Sequence, residues 1–198
     1  VVAVLGKKSA SALVIEGLKK LEYRGYDSAG IATLGKRSVN AIKSEGKLSN
    51  LINSLSTQKI EKSFFDNSIA IGHTRWATHG NINVKNAHPI ISDNKVAVVH
   101  NGIIENHAII KKQLLSEGFI FESDTDTEVI PNLFVKYIKR GNDFLEAGRW
   151  VLEDIQDALA VVAMSVEFTE QSFVSRKSSQ LAIGIGGVSN LFGVDVQY

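Results

Sequence analysis

The sequence contains no cysteine. Disulfides are excluded, and so are thiolate metal ligands. No apolar run approaches the ~20 residues of a membrane-spanning helix. The opening residues, Val1-Val2-Ala3-Val4-Leu5-Gly6, form a short apolar run with no basic segment before them, so no signal peptide is read there. Neither sign of charge dominates: 22 Lys and Arg stand against 21 Asp and Glu, a formal net charge of +1. That balance gives no electrostatic case for nucleic acid or an anionic membrane. Internal repeats, low-complexity tracts and linkers are absent, as are HExxH and Gly-x-Ser-x-Gly patterns. The run Gly184-Ile185-Gly186-Gly187 has no helical pattern after it and so is not a dinucleotide fingerprint.

What remains is the profile of a globular protein. Hydrophobic residues make up 44% and charged residues 22% of 198 residues, enough for a real core in one domain or a tight pair. The lack of cysteine is compatible with a reducing, cytoplasmic setting.

Periodicity predicts a mixed α+β order. Val1–Leu5 reads as a buried strand, and Ser9–Tyr23 as a helix capped by Ser9 or Ser11. Its apolar stripe is Leu13, Val14, Gly17, Leu18 and Leu21. Ile31–Leu34 and Val39–Ser44 form a strand pair around the turn Gly35–Ser38. Lys47–Leu55 is a short helix, and the polar stretch Thr57–Asn67 reads as loop. Ile69–Thr74 and Lys95–His100 are strands. Helices are predicted over Glu105–Glu117, Thr127–Lys139 and Asn142–Glu153, with Pro131 tolerated in the first turn of the second. Short strands follow at Ala158–Val166, Ser172–Ser175, Leu181–Gly184 and Asn190–Val194. The rhythm of a doubly wound sheet is not sustained.

Two strand ends carry more chemistry than a turn needs. The first is His73-Thr74-Arg75-Trp76-Ala77-Thr78-His79-Gly80, and the second is His100-Asn101-Gly102. Asn-Gly is also a favoured hairpin pair. The five histidines, His73, His79, His88, His100 and His107, have no spacing that favours a metal, so a satisfied structural role is the default for each. Asp124-Thr125-Asp126-Thr127-Glu128 opens a helix, where capping and the helix dipole account for acids.

Five motifs stand in one order: Tyr23-Arg24-Gly25-Tyr26-Asp27-Ser28-Ala29-Gly30, His73 to Gly80, Asn86-Ala87-His88-Pro89, His100-Asn101-Gly102-Ile103-Ile104-Glu105-Asn106 and Thr125-Asp126-Thr127-Glu128. Together they resemble the glutaminase domain of the glucosamine-6-phosphate synthase family, class II glutamine amidotransferases. The resemblance covers nearly the whole chain and is densest over residues 1–140. It implies the N-terminal nucleophile hydrolase fold, a four-layer αββα sandwich with two antiparallel sheets. It also implies an N-terminal cysteine thiolate that attacks the side-chain amide of L-glutamine. The cysteine's own α-amino group, with an ordinary pKa of about 7.7–8.0, is the general base. Asn101 and Gly102 would form the oxyanion hole. Arg75 would take the glutamine α-carboxylate and Asp126 its α-ammonium. Trp76, Thr78 and His79 would line the loop over the substrate, with Arg24 and Gly25 near the nucleophile. No cofactor and no metal are implied. The implied partners are glutamine and the sugar-isomerase domains of the full enzyme, with a homodimer at full length, in the cytoplasm.

The sequence departs from that pattern at two places. Family members begin Cys-Gly-Ile-Val, and aligning Glu16-Gly17-Leu18 puts Val1 at the third position. The expectation is a single domain, 1–198, that lacks the leading Cys-Gly and the following sugar-isomerase domains. The alternative is a non-catalytic glutamine-binding module of the same fold. Residues 157–180 also diverge: Asp157-Ala158-Leu159 and Arg176-Lys177-Ser178-Ser179-Gln180 replace the family's usual segments.

Overall fold

The computed structural model describes residues 1–6, 9–57, 62–76, 81–156, 159–177, 182–185 and 189–193. In chain order these form β1 (Val2–Gly6), α1 (Ala10–Leu21), β2 (Ser28–Leu34), β3 (Val39–Glu45), α2 (Leu48–Thr57), α3 (Lys62–Phe65), β4 (Ile69–Arg75), β5 (Ile90–Ser92), β6 (Val96–Gly102), α4 (His107–Ser116), α5 (Val129–Lys139), α6 (Phe144–Asp154), β7 (Leu159–Ser165), β8 (Ser172–Lys177), β9 (Ala182–Ile185) and β10 (Ser189–Gly193). Short 3-10 turns at Glu22–Arg24 and Asp126–Glu128 lead into β2 and α5.

The strands form a six-stranded sheet, β3-β2-β4-β1-β10-β9, and a four-stranded sheet, β5-β6-β7-β8. All pairings are antiparallel. Because strand side chains alternate, each central strand feeds two cores. Val1, Ala3, Ile69 and Ile71 meet Ala97, Val99 and Ala160 between the sheets. Val2, Val4, Ala70 and Ile31 pack outward on Val14 and Leu18 of α1 and Leu51 of α2. Val96, Val98 and Val161 pack on the other side against Ile130, Leu133 and Phe134 of α5 and Phe144 of α6. The result is the αββα sandwich that the resemblance implied. The near-continuous apolar runs of β4, β6 and β7 follow from burial on both faces.

Several local expectations are corrected. Ser9 precedes α1 at φ 58° and makes no side-chain cap bond; its carbonyl, not its hydroxyl, accepts the N–H groups of Ala12 and Leu13. In the α1 stripe, Leu13 is exposed while Ala10 and Ser11 are buried, because the helix lies on small sheet residues such as Gly72. The polar stretch before β4 contains α3, whose Phe64 is buried. Asn101-Gly102 is not a hairpin turn: β6 runs through it, with Asn101 opposite Ala160 and Gly102 opposite Leu159. Residues 157–158 and 178–181, most of the divergent segments, lie outside the described residues.

Candidate active site

β4 ends on Arg75 in the middle of the larger sheet, and β6 ends on Asn101-Gly102 in the smaller one. Alternation puts Ile69, Ile71, His73 and Arg75 on the inner face of β4, and Ala97, Val99 and Asn101 on the inner face of β6. Both strand ends therefore open on the space between the sheets. Arg75 is only 4% exposed. Its Nη1 lies 3.5 Å from the carbonyl of Asn81. Burial lowers its pKa, and the carboxylates of Asp27 and then Asp126 oppose the shift. A guanidinium buried this far is kept only where anions answer it, and the charges of Asp27 and Asp126 do so.

The turn carrying Asp126 is fixed by its own acids. One oxygen of the buried Asp126 accepts the N–H of Ile104 at 2.7 Å and the other the N–H of Thr127 at 2.9 Å. Glu128 accepts from the N–H groups of Glu122 and Ser123, both at 2.7 Å, and from the Ser123 hydroxyl at 2.6 Å. The helix-capping expectation for this segment is overturned: Thr125 makes no side-chain cap bond, and the carboxylates instead join the turn to segments on either side. Asp126 thus stands beside the residues that follow the Asn101-Gly102 strand end.

Gly25 sits where a Cβ would lie 2.6 Å from the carbonyl of Thr74. Only glycine lets the turn after α1 press on the end of β4. The N–H of Asp27 completes that contact by donating to the Arg75 carbonyl at 3.2 Å. Gly30 is crowded in the same way by the carbonyl of His88. Trp76 is 57% exposed and meets the ring of Tyr26 edge-on, with centroids 5.4 Å apart. Thr78 and His79 lie outside the described residues, as does the side chain of Arg24. Of the residues expected at the site, the structure therefore gathers Arg75, Asp126, Asn101, Gly102, Gly25 and Trp76.

Other residues at the site carried no assigned role in the sequence reading. Asn86 is fully buried. Its amide donates to the Asn81 carbonyl at 2.9 Å and accepts the Asp124 N–H at 2.9 Å. It clamps the segment that follows the His73–Gly80 stretch to the segment that leads into Asp126. Its signal was the Asn86-Ala87-His88-Pro89 motif. Thr127 contacts two rings: its Oγ1 lies 3.1 Å from His88 Nε2 and 2.9 Å from His100 Nδ1. His88 stacks on His73 at 4.6 Å.

These three histidines are buried, yet among the described residues His73 Nδ1, His88 Nδ1 and His100 Nε2 have no hydrogen-bond partner. The expectation of satisfied structural histidines is corrected to that extent. Burial holds all three neutral, with His100 lowered to about 4 against the pull of Asp126, and with neighbouring positive groups adding to the effect at His73 and His88. Among the described residues no group of three or more His, Asp or Glu is arranged to hold a metal. Two of the rings stack on each other rather than converging on a common point. Among those residues, too, no helix is long and apolar enough to cross a membrane.

Stacked antiparallel sheets between helices, with the larger sheet's central strands ending at a buried arginine, define an N-terminal nucleophile hydrolase fold. The solved structure of glutamine phosphoribosylpyrophosphate amidotransferase from B. subtilis shares it, with a TM-score of 0.75 and 27% identity over 96% of this chain and 40% of that one. A structure described as the allosteric regulatory enzyme of purine biosynthesis superposes with a TM-score of 0.78, also at 27% identity, with the same coverage of both chains.

Residues 56–153 match the family model described as a glutamine amidotransferase domain. The chain carries that match over just under half of its length. It is 45% identical over 197 residues to a glutamine--fructose-6-phosphate aminotransferase (isomerizing) of Clostridium acetobutylicum, and 43% identical over 197 residues to that of Caldanaerobacter subterraneus subsp. tengcongensis. Each alignment covers 99% of this chain and 31% of the relative. The chain thus spans about a third of the length of the curated relatives it matches.

Proposed function

We propose that this chain is the glutaminase domain of a glutamine–fructose-6-phosphate aminotransferase, releasing ammonia from L-glutamine for amination of fructose 6-phosphate on sugar-isomerase domains. One register carries the reading. Val2 of β1 pairs with Gly72 of β4, so Val1 stands opposite His73, and two positions further along the line is Arg75. A cysteine two residues before Val1 would sit beside Arg75 and, by alternation, face inward with it and Asn101.

The chemistry follows from that placement. Arg75 pairs its planar fork with the α-carboxylate of glutamine, and Asp126 takes the α-ammonium. The substrate's side-chain amide then lies toward the inner-facing thiolate. Attack on the amide carbon forms a tetrahedral oxyanion, which the Asn101 side-chain amide and the Gly102 N–H stabilise. Collapse expels ammonia, and water cleaves the thioester to glutamate. Trp76, braced by Tyr26, stands at the start of the loop over the substrate, with Thr78 and His79 further along it. Arg24 and Gly25 flank the nucleophile.

The test is hydrolysis of glutamine by the chain carrying Cys-Gly ahead of Val1, with calorimetric binding of glutamine to the cysteine-free chain. Hydrolysis together with binding supports the reading. Binding to both chains without hydrolysis by the Cys-Gly form supports a non-catalytic glutamine-binding module instead. No binding to either form rejects both.

A further inference from the structure

Thr127 lies between the two strands that meet at the site. Its hydroxyl is 2.9 Å from Nδ1 of His100, the residue immediately before Asn101, and 3.1 Å from Nε2 of His88. His88 stacks on His73, two residues before Arg75 on β4. His73 in turn has a hydrogen bond with the His100 backbone. Thr127 also follows Asp126 directly. One buried hydroxyl, on a residue 2% exposed, therefore connects β4, β6 and the Asp126 turn.

Hydrogen-bond arithmetic makes this tether demanding. A hydroxyl has one proton and two acceptor sites, so it can donate to only one of the two rings. The other ring must present an N–H toward Oγ1. The far nitrogens, His88 Nδ1 and His100 Nε2, have no partner among the described residues. Among the described residues the Thr127 oxygen is thus the only polar anchor on each ring, and losing it frees both rings and their tautomers. A residue that merely filled space here would do so equally well as valine, which has the same branching without the hydroxyl.

We propose that Thr127 is a positioning residue for the oxyanion hole, its hydroxyl fixing the His100 and His88 rings so that the Asn101-Gly102 strand end is held in register with Arg75. This deepens, and rests on, the glutaminase reading. The consequence is specific. Ground-state binding by Arg75 and Asp126 should survive loss of the hydroxyl, while stabilisation of the transition state should not, because small displacements at the reacting centre cost far more there.

The test compares Thr127→Val with Thr127→Ser in the chain carrying Cys-Gly ahead of Val1. Thr127→Val is expected to lower kcat for glutamine hydrolysis roughly tenfold to a hundredfold, with KM within about twofold, and Thr127→Ser to restore most of the loss. Nitrogen-15 NMR of the histidine rings in the chain itself should show fixed tautomers for His88 and His100 in the parent and in Thr127→Ser, but not in Thr127→Val. If Thr127→Val does not fold, His100→Phe keeps a flat ring without the tether and should show the same kcat loss at unchanged KM. Unchanged kcat, or unchanged tautomers in Thr127→Val, overturns the proposal. A parent that hydrolyses no glutamine overturns the glutaminase reading instead, and the NMR comparison still decides the tether.

Discussion

The carboxylate of Asp126 accepts the backbone N–H of Ile104 at 2.7 Å, joining the turn that opens α5 to the loop two residues past Gly102. The acid assigned to the substrate's ammonium is thus also a structural acceptor. Asp126→Ala leaves a buried N–H without a partner, which costs about 1–3 kcal/mol. Asp126→Asn keeps one acceptor oxygen and should lose less stability, yet weaken glutamine binding at least about tenfold, since a charge-assisted bond is lost. Urea denaturation and calorimetry on the two variants separate the roles. Equal binding by Asp126→Asn and the parent would argue against the ammonium role.

Arg75→Lys keeps the charge and loses the planar fork. Glutamine affinity should fall by about ten- to a hundredfold, the cost of about 1.5–3 kcal/mol for a hydrogen bond to a charged group. Titration calorimetry measures it. A lysine variant that binds as well as the parent would show that the fork does not matter.

Gly25→Ala forces a methyl group to within 2.6 Å of the Thr74 carbonyl. Overpacking of this kind costs about 1–3 kcal/mol, and here it pushes on the strand end bearing Arg75. Lower thermal stability and weaker glutamine binding should appear together. A neutral Gly25→Ala would mean that the turn after α1 can move away freely.

Acid should destabilise the fold through the three buried histidines. Their folded pKa values lie below the ordinary 6.5, that of His100 at about 4. Between about pH 6.5 and 4 the unfolded chain binds protons that the folded chain refuses, so stability falls as pH drops through that window; above it the term is constant. The urea midpoint measured from pH 7.5 to 4.5 should decline, and His100→Phe should flatten the decline. A midpoint independent of pH would contradict the burial of these rings.

Lys43 lies in a cavity of about 410 Å³ lined also by Ser92, Glu122, Glu128, Lys85 and Lys139. Burial lowers its amine to about 8, against the pull of Glu128 and then Glu122. At pH 8 about half of it is neutral, compared with well under about 1% of an ordinary lysine. Limiting acetic anhydride at pH 8 should therefore acylate Lys43 ahead of Lys19 or Lys95, both exposed and ion-paired, as peptide mass mapping would reveal. Labelling in order of exposure alone would refute this.

Most elements were legible because they have one dominant pattern. α5 keeps apolar residues at helical spacing from Val129 to Ile138, and β4, β6 and β7 each open on an apolar run of four residues or more. α6 is opened by Asp143 and Glu146, which form a capping box. α3 was missed because four residues hold too little periodicity to register. The fate of Asn101-Gly102 could not be read locally: the same dipeptide suits a hairpin turn, and only pairing with β7, more than fifty residues away, extends the strand through it.

The sequence by itself determined the mixed α+β order from periodicity and, through its five ordered motifs, the resemblance that implied the αββα layering and the roles of Arg75 and Asp126, because periodicity and motifs are local properties. The tertiary structure alone decided that Thr127 joins His88 to His100, that Asn86 clamps Asn81 to Asp124, and that the register of β1 points toward Arg75. Each depends on atoms from segments far apart in sequence. Hydrogen bonds of about 3 Å between such segments follow from how the sheets and helices pack, and no spacing along the chain encodes them.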